Sequence, residues 1–159
     1  MSIRSAAKTI VINNQKILLI KYVSERGFIY YELPGGGQNP YEELEEAAKR
    51  EFLEETGYRI KINRLAAVAE EIFTDGELRR EYPEYAHRIH HIFQGEILQE
   101  ERQGITELDK SQTGCEWVPL DKLSGIYLIP KQLKRHLNKI VNSTAPVYLG
   151  TAYEDADLK

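Results

Sequence analysis

The chain has 159 residues, 18.4 kDa and a formal net charge of −4, enough for one domain with a sizeable core. With 42% hydrophobic and 29% charged residues it has the balance of a soluble globular protein. The negative charge gives no general attraction to nucleic acid or to an anionic membrane, and no apolar run approaches a membrane span. A single cysteine, Cys115, excludes an intramolecular disulfide and fits a reducing compartment. The N-terminus lacks the apolar core of a secretory signal, so a cytoplasmic location is expected.

In chain order, residues 4–12 and 16–22 read as strands joined by turn chemistry at Asn13-Asn14-Gln15. Residues 28–33 form a third, aromatic-rich strand that Pro34 stops, and three glycines follow. A helix is predicted from roughly Tyr41 to Thr56, with Gly57 placed as a C-cap. Residues 59–73 have strand character, 77–86 read as a loop or a frayed strand end, and 87–98 alternate as a strand. Residues 99–114 read as a long polar connection, of a length that is often functional. Cys115–Pro119 is a short strand, and Leu120–Leu123 begins a helical turn. Pro130 is placed as an N1 proline of a second helix, with an apolar stripe at Leu133, Leu137 and Ile140 or Val141. Residues 143–159 read as a polar tail, either loose or pinned by Tyr148 and Tyr153. Strands dominate, and two helices flanking a sheet predict an α/β/α sandwich, a mixed β-sheet flanked by helices in one domain over 1–159.

The predicted first helix carries an anomaly. Leu44, Ala47, Ala48, Glu51 and Glu55 project to one side, with Glu54 at its edge, so the stripe turns from apolar to acidic. Seven acids lie between Glu42 and Glu55. Carboxylates at i, i+3 and i+4 repel unless something positive lies between them, and hard divalent cations favour such oxygen ligands. A metal site is the first reading; a solvated acidic face is its rival. Glu43, Glu45 and Glu46 point elsewhere and read as surface charge.

From Gly36 the residues run through Glu42 to Arg50-Glu51-Phe52-Leu53-Glu54-Glu55-Thr56-Gly57-Tyr58. This resembles the Nudix box, G-x5-E-x7-R-E-U-x-E-E-x-G-U, with every fixed letter matched and Phe52 and Tyr58 replacing aliphatics at two U positions. Tyr31–Gln38 before the box and Glu116–Leu120 near the end extend the resemblance from about Arg4 to Leu137. The resemblance implies a Mg²⁺- or Mn²⁺-dependent hydrolase of the pyrophosphate bond in a nucleoside diphosphate linked to another moiety: a nucleoside triphosphate, an oxidised nucleotide or ADP-ribose. Carried over onto matching positions, Glu51, Glu54, Glu55 and the main-chain carbonyl of Gly35 hold the ion. Arg50 braces the glutamates, and Glu54 or a loop carboxylate (Glu100, Glu101 or Glu107) serves as base. Glu42, opening the helix, complements its dipole or binds a further metal.

The sequence motifs that mark the ADP-ribose, dinucleoside-polyphosphate, NADH and coenzyme A branches are not evident. A homodimer is common among relatives, but no stretch establishes one. His87, His90 and His91 lack further zinc ligands, and structural or substrate-contacting roles are expected. The aromatics of residues 28–31 and Trp117 read as packing before base stacking, and Cys115 as a buried small hydrophobe. The rival functions are a non-catalytic nucleotide-binding or sensor module on the same fold, and a plain acidic-helix interaction domain.

Overall fold

The computed structural model describes residues 3–98, 102–106 and 111–154. β1 (Arg4–Asn13) turns at Asn14 and Gln15, both at positive φ as a type I′ hairpin requires, into β2 (Lys16–Val23). β3 (Ile29–Glu32) and a glycine strand, β4 (Gly35–Gly37), lead to helix α1 (Leu44–Thr56). The long β5 (Ile60–Phe73), short α2 (Gly76–Glu81), β6 (His87–Ile97) and β7 (Gln112–Pro119) follow. A 3₁₀ turn (Leu120–Gly125), β8 (Leu128–Ile129), helix α3 (Gln132–Asn142) and β9 (Val147–Glu154) complete the described chain.

The strands form one mixed, curled sheet in the order β8-β3-β2-β1-β6-β5-β9, with β4 on β1 and β7 on β2. β1 runs parallel to β6 along Arg4–Val11, while its hydrogen bonds to β2 are confined to the hairpin end. The freed edge of β1 takes the glycine strand antiparallel, pairing Ala6, Ala7 and Lys8 with Gly37, Gly36 and Gly35. The sheet separates two cores. Ile10, Leu19 and Ile92 meet Leu133, Leu137 and Ile140 of α3 on one face, whereas Ala7, Val11, Leu18 and Phe93 meet Ala47, Ala48 and Phe52 of α1 on the other. This is the expected α/β/α layering, with Ile140 filling the last position of the α3 stripe.

Four readings are corrected. The first helix begins at Leu44 rather than Tyr41, because Glu43 is extended at the N-cap and its N–H donates to the Glu46 carboxylate. Residues 77–81 belong to α2, which the Asp75 carboxylate caps by accepting from the Glu77 and Leu78 N–H groups. Pro130 lies ahead of α3, outside it, with Lys131 as the N-cap. Residues 147–154 are a strand parallel to β5, anchored by buried Leu149, Ala152 and Glu154, while Tyr148 and Tyr153 are exposed and pin nothing into the core. Among the described residues, no helix is long and apolar enough to cross a membrane.

The two alanines let α1 lie close to the sheet, and Phe52 supplies the bulk that fixes its distance. Phe52 is fully buried among Val11, Leu18 and Ile60. Its replacement by alanine should cost about 3–5 kcal/mol in urea denaturation, and Phe52→Leu less than half of that. Equal losses for both variants would refute its role as the spacer.

Candidate active site

The acidic end of α1 is held against the glycine strand by one guanidinium. Arg50 Nε and Nη2 donate to both oxygens of Glu42 at 2.7 and 2.9 Å, and Nη2 also donates to the Gly37 carbonyl at 3.0 Å. Its Nη1 is shared between Glu51 at 2.8 Å and Glu54 at 3.1 Å. Glu42 therefore does not open the helix. It precedes the N-cap, accepts the Asn39 N–H as well, and those bonds, Arg50's first, hold its carboxyl below the usual range.

Glu55 sits apart from that network. Its two oxygens accept from the Gly35 N–H at 2.7 Å and the Gln112 amide at 2.6 Å. Gln112 is itself buried and also donates to the Tyr22 hydroxyl. Burial pushes the Glu55 carboxyl up to about 7, against the pull of Lys8 and of the two hydrogen bonds, with Glu51 adding repulsion. Gly35 has φ +134°, and a Cβ there would lie 2.1 Å from the Ala7 carbonyl, so only glycine allows this approach of β4 to β1. The Gly35 carbonyl accepts from Lys8 Nζ at 2.5 Å, and the same ammonium pairs with Glu32 at 3.1 Å.

The residues singled out in the sequence thus meet in one region. Glu51, Glu54 and Glu55 have side-chain exposures of 16%, 26% and near-complete burial. As they lie, no three His, Cys, Asp or Glu side chains among the described residues converge closely enough to hold an ion. Glu51 and Glu54 lean to Arg50, and Glu55 to Gly35 and Gln112. The donor set nevertheless fits a hard divalent cation, being carboxylate oxygens beside a backbone carbonyl with a second lone pair to offer.

Glu100, Glu101 and Glu107 lie outside the described residues. The intervening residues 102–106 wrap the end of α1: the Arg102 side chain donates to the Thr56 carbonyl, and the Gln103 and Thr106 N–H groups donate to those of Gly57 and Glu54. The histidines do not join the site. His87 pairs with Glu70, His91 approaches the Ala6 carbonyl, and His90 is buried against Glu71. Cys115 is half-buried and not fully enclosed, and burial pushes its thiol up, the reverse of a nucleophile's need. Tyr30 stacks with both Tyr22 and Phe28, and Trp117 packs against the α1-side core. Two site residues, Lys8 and Gln112, escaped sequence reasoning. Lys8 had a signal, a lone lysine in the apolar run AAKTIVI; a neutral glutamine in a polar connection had none.

The result is a curled mixed sheet between two helices, with a glycine strand facing an arginine-braced glutamate cluster. Residues 3–141 match the NUDIX domain family. A Bacillus subtilis (strain 168) protein provisionally named as an 8-oxo-dGTP diphosphatase is 35% identical over 144 residues, covering 89% of this chain and 82% of that one. Among solved structures, a NUDIX hydrolase from Nitrosomonas europaea superposes with a TM-score of 0.65 at 19% identity, covering 88% of each chain. A MutT protein from Bacillus halodurans does so with 0.66 at 21% identity, covering 99% of this chain and 94% of the other. The chain belongs to the Nudix family.

The raised Glu55 pKa has a sign that can be tested. The folded protein holds this proton more tightly than the unfolded chain, so the stability it contributes is complete below about pH 4.5 and is lost as pH rises through about 7. In urea melts with a chelator present, the stability of Glu55→Gln relative to the wild type should rise by roughly 2–3 kcal/mol between pH 4.5 and pH 8, whatever the offset at the acid end. A gap that does not widen with pH would contradict the assignment.

Proposed function

We propose that this chain is a single-domain, cytoplasmic, Mg²⁺- or Mn²⁺-dependent hydrolase. Its substrate is a small nucleotide whose pyrophosphate linkage joins a nucleoside diphosphate to another group. The observation that carries the reading is the Arg50 network, which brings Glu51 and Glu54 to one cation while Glu55 is held separately on Gly35. Arrays of surface glutamates spread apart to lower their repulsion; here three are kept within one turn and a half of helix.

The residues that would hold the ion are Glu51, Glu54, Glu55 and the Gly35 carbonyl. When bound, it neutralises phosphate oxygens and makes water easier to deprotonate near neutral pH. Arg50 keeps Glu51 and Glu54 oriented between turnovers, and the Gln112 amide and the Gly35 N–H fix both oxygens of Glu55. Glu54 is the most exposed of the three, and so best placed to take the proton of an incoming water. That water oxygen bonds to phosphorus, the bridging P–O bond breaks, and the departing phosphate or nucleotide carries away the bridging oxygen. A loop carboxylate from Glu100, Glu101 or Glu107 is the other candidate base.

The name of the Bacillus subtilis relative favours nucleoside triphosphates, oxidised ones included, as the first substrates to assay. ADP-ribose and dinucleoside polyphosphates complete the panel. Glu54→Gln and Glu55→Gln should each lower kcat by about 10²–10⁴ with the circular dichroism spectrum retained. Mg²⁺ should raise the melting temperature of the wild type and raise it less in Glu55→Gln. Unchanged turnover in both variants would refute the site. Absence of turnover across the whole panel would move the chain to a nucleotide-binding role.

A further inference from the structure

A cleft of about 570 Å³ opens beside the box, walled by Arg4 and Ser5 at the start of β1, by Gly37, Gln38 and Asn39, and by Glu51. Its volume lies within the range of small-molecule sites. Glu51 gives it one end in the carboxylate cluster, so a ligand bound there by its diphosphate would extend into the cleft.

Arg4 supplies its positive charge. The guanidinium carbon lies over the Tyr85 ring, 4.7 Å from its centroid, a cation–π contact that assigns none of its N–H donors to an acceptor. Among the described residues, no carboxylate pairs with it. Glu84 borders the same cleft without forming an ion pair with it. The guanidinium lies directly over Gly37: a Cβ there would fall 2.6 Å from Nη2 and 3.0 Å from Cζ. Any side chain at position 37 would displace it, so the glycine that carries the Arg50 contact on its carbonyl also seats Arg4. The neighbouring polar groups are already engaged, because Ser5 Oγ donates to Gln38 Oε1 and the Gln38 amide to the Glu42 carbonyl. Tyr41 is wholly exposed at the rim and does not cover the cleft.

An unpaired planar fork of donors in a cleft that begins at a metal-binding carboxylate fits a terminal phosphate. We propose that Arg4 anchors the terminal phosphate of a nucleoside triphosphate in this cleft. It thereby selects substrates with a free polyphosphate end over those whose diphosphate is capped by a sugar. The identity of the ligand rests on the hydrolase reading above; the anion site itself rests on Arg4 and Gly37.

Titration calorimetry of the whole chain with inorganic pyrophosphate and Mg²⁺ tests the anion site without requiring catalysis. Arg4→Met should weaken binding by about tenfold or more, and Arg4→Lys, which keeps charge but loses the fork, by about threefold. Arg4→Lys also reports if Arg4→Met does not fold. In steady state, Arg4→Met should raise KM for a deoxynucleoside triphosphate about tenfold and KM for ADP-ribose by clearly less. No binding by the wild type, equal binding by the variants, or the same KM change for both substrates would overturn the proposal. Pyrophosphate binding that depends on Arg4 in a protein that hydrolyses nothing would leave the anion site standing and remove the hydrolase reading instead.

Discussion

The structure around the box depends on one guanidinium satisfying acceptors that would otherwise repel. Arg50 spends its donors on three carboxylates and a carbonyl, and these come from three different places in the chain: the connection before α1, α1 itself, and the glycine strand. The contact to Gly37 registers the helix against β4, and the two-pronged contact to Glu42 fixes the connection between them. A lysine has the charge but not the planar fork, so it would hold one of these groups and release the others. Charge neutralisation and geometry are here the same interaction.

Burial then divides the glutamates by role. Glu51 and Glu54 remain partly in water and share a cation, whereas Glu55 is enclosed and held by two neutral donors. Neutral donors orient a carboxylate without supplying a full opposite charge. A second buried acid, Glu71, shows the contrasting arrangement. Burial works to raise its pKa, but Arg88 at 2.9 Å and His90 outweigh that and hold it low, while burial lowers the pKa of His90 itself. Glu71 meets the protein's own Arg88 and His90, both on one oxygen, whereas the two Glu55 oxygens each accept from a neutral donor. One acid is thus held by cations of the protein and the other by neutral groups.

The box was legible in the sequence because its chemistry needs carboxylates on consecutive turns of a helix, and no packing demand places glutamates there. Strongly patterned elements were legible for a similar reason: β1, β2 and α3 carry apolar runs or stripes that one neighbouring layer explains. β9 was not, since its partner β5 lies some 80 residues upstream and its buried residues, Leu149, Ala152 and Glu154, follow no strict alternation and include a carboxylate. α2 was hidden by its charge, being a single capped turn and a half with only Leu78 buried. At the site, the spacing found the carboxylates but not what orients them. Gln112 reaches Glu55 across 57 residues and Lys8 reaches Gly35 across 27, and such contacts leave no mark in local spacing.

The pairing of β1 with β4 explains how those distant groups are placed. Arg4 and Lys8 are four residues apart on one strand and so share a face. Antiparallel pairing sets Lys8 opposite Gly35 and carries Arg4 past Gly37, one cation at each end of the three glycines. On the helix side, α1 presents Glu51 against Gly36 and Glu55 against Gly35. The glycine strand is therefore a thin partition with carboxylates on one side and cations at its ends. In the function proposed above, a divalent cation would take the first and a polyphosphate the second. Side chains on the strand would separate them, and a one-residue slip of β1 would turn both cations away together. The triple glycine is thus as much a demand of β1 as of the helix that follows it.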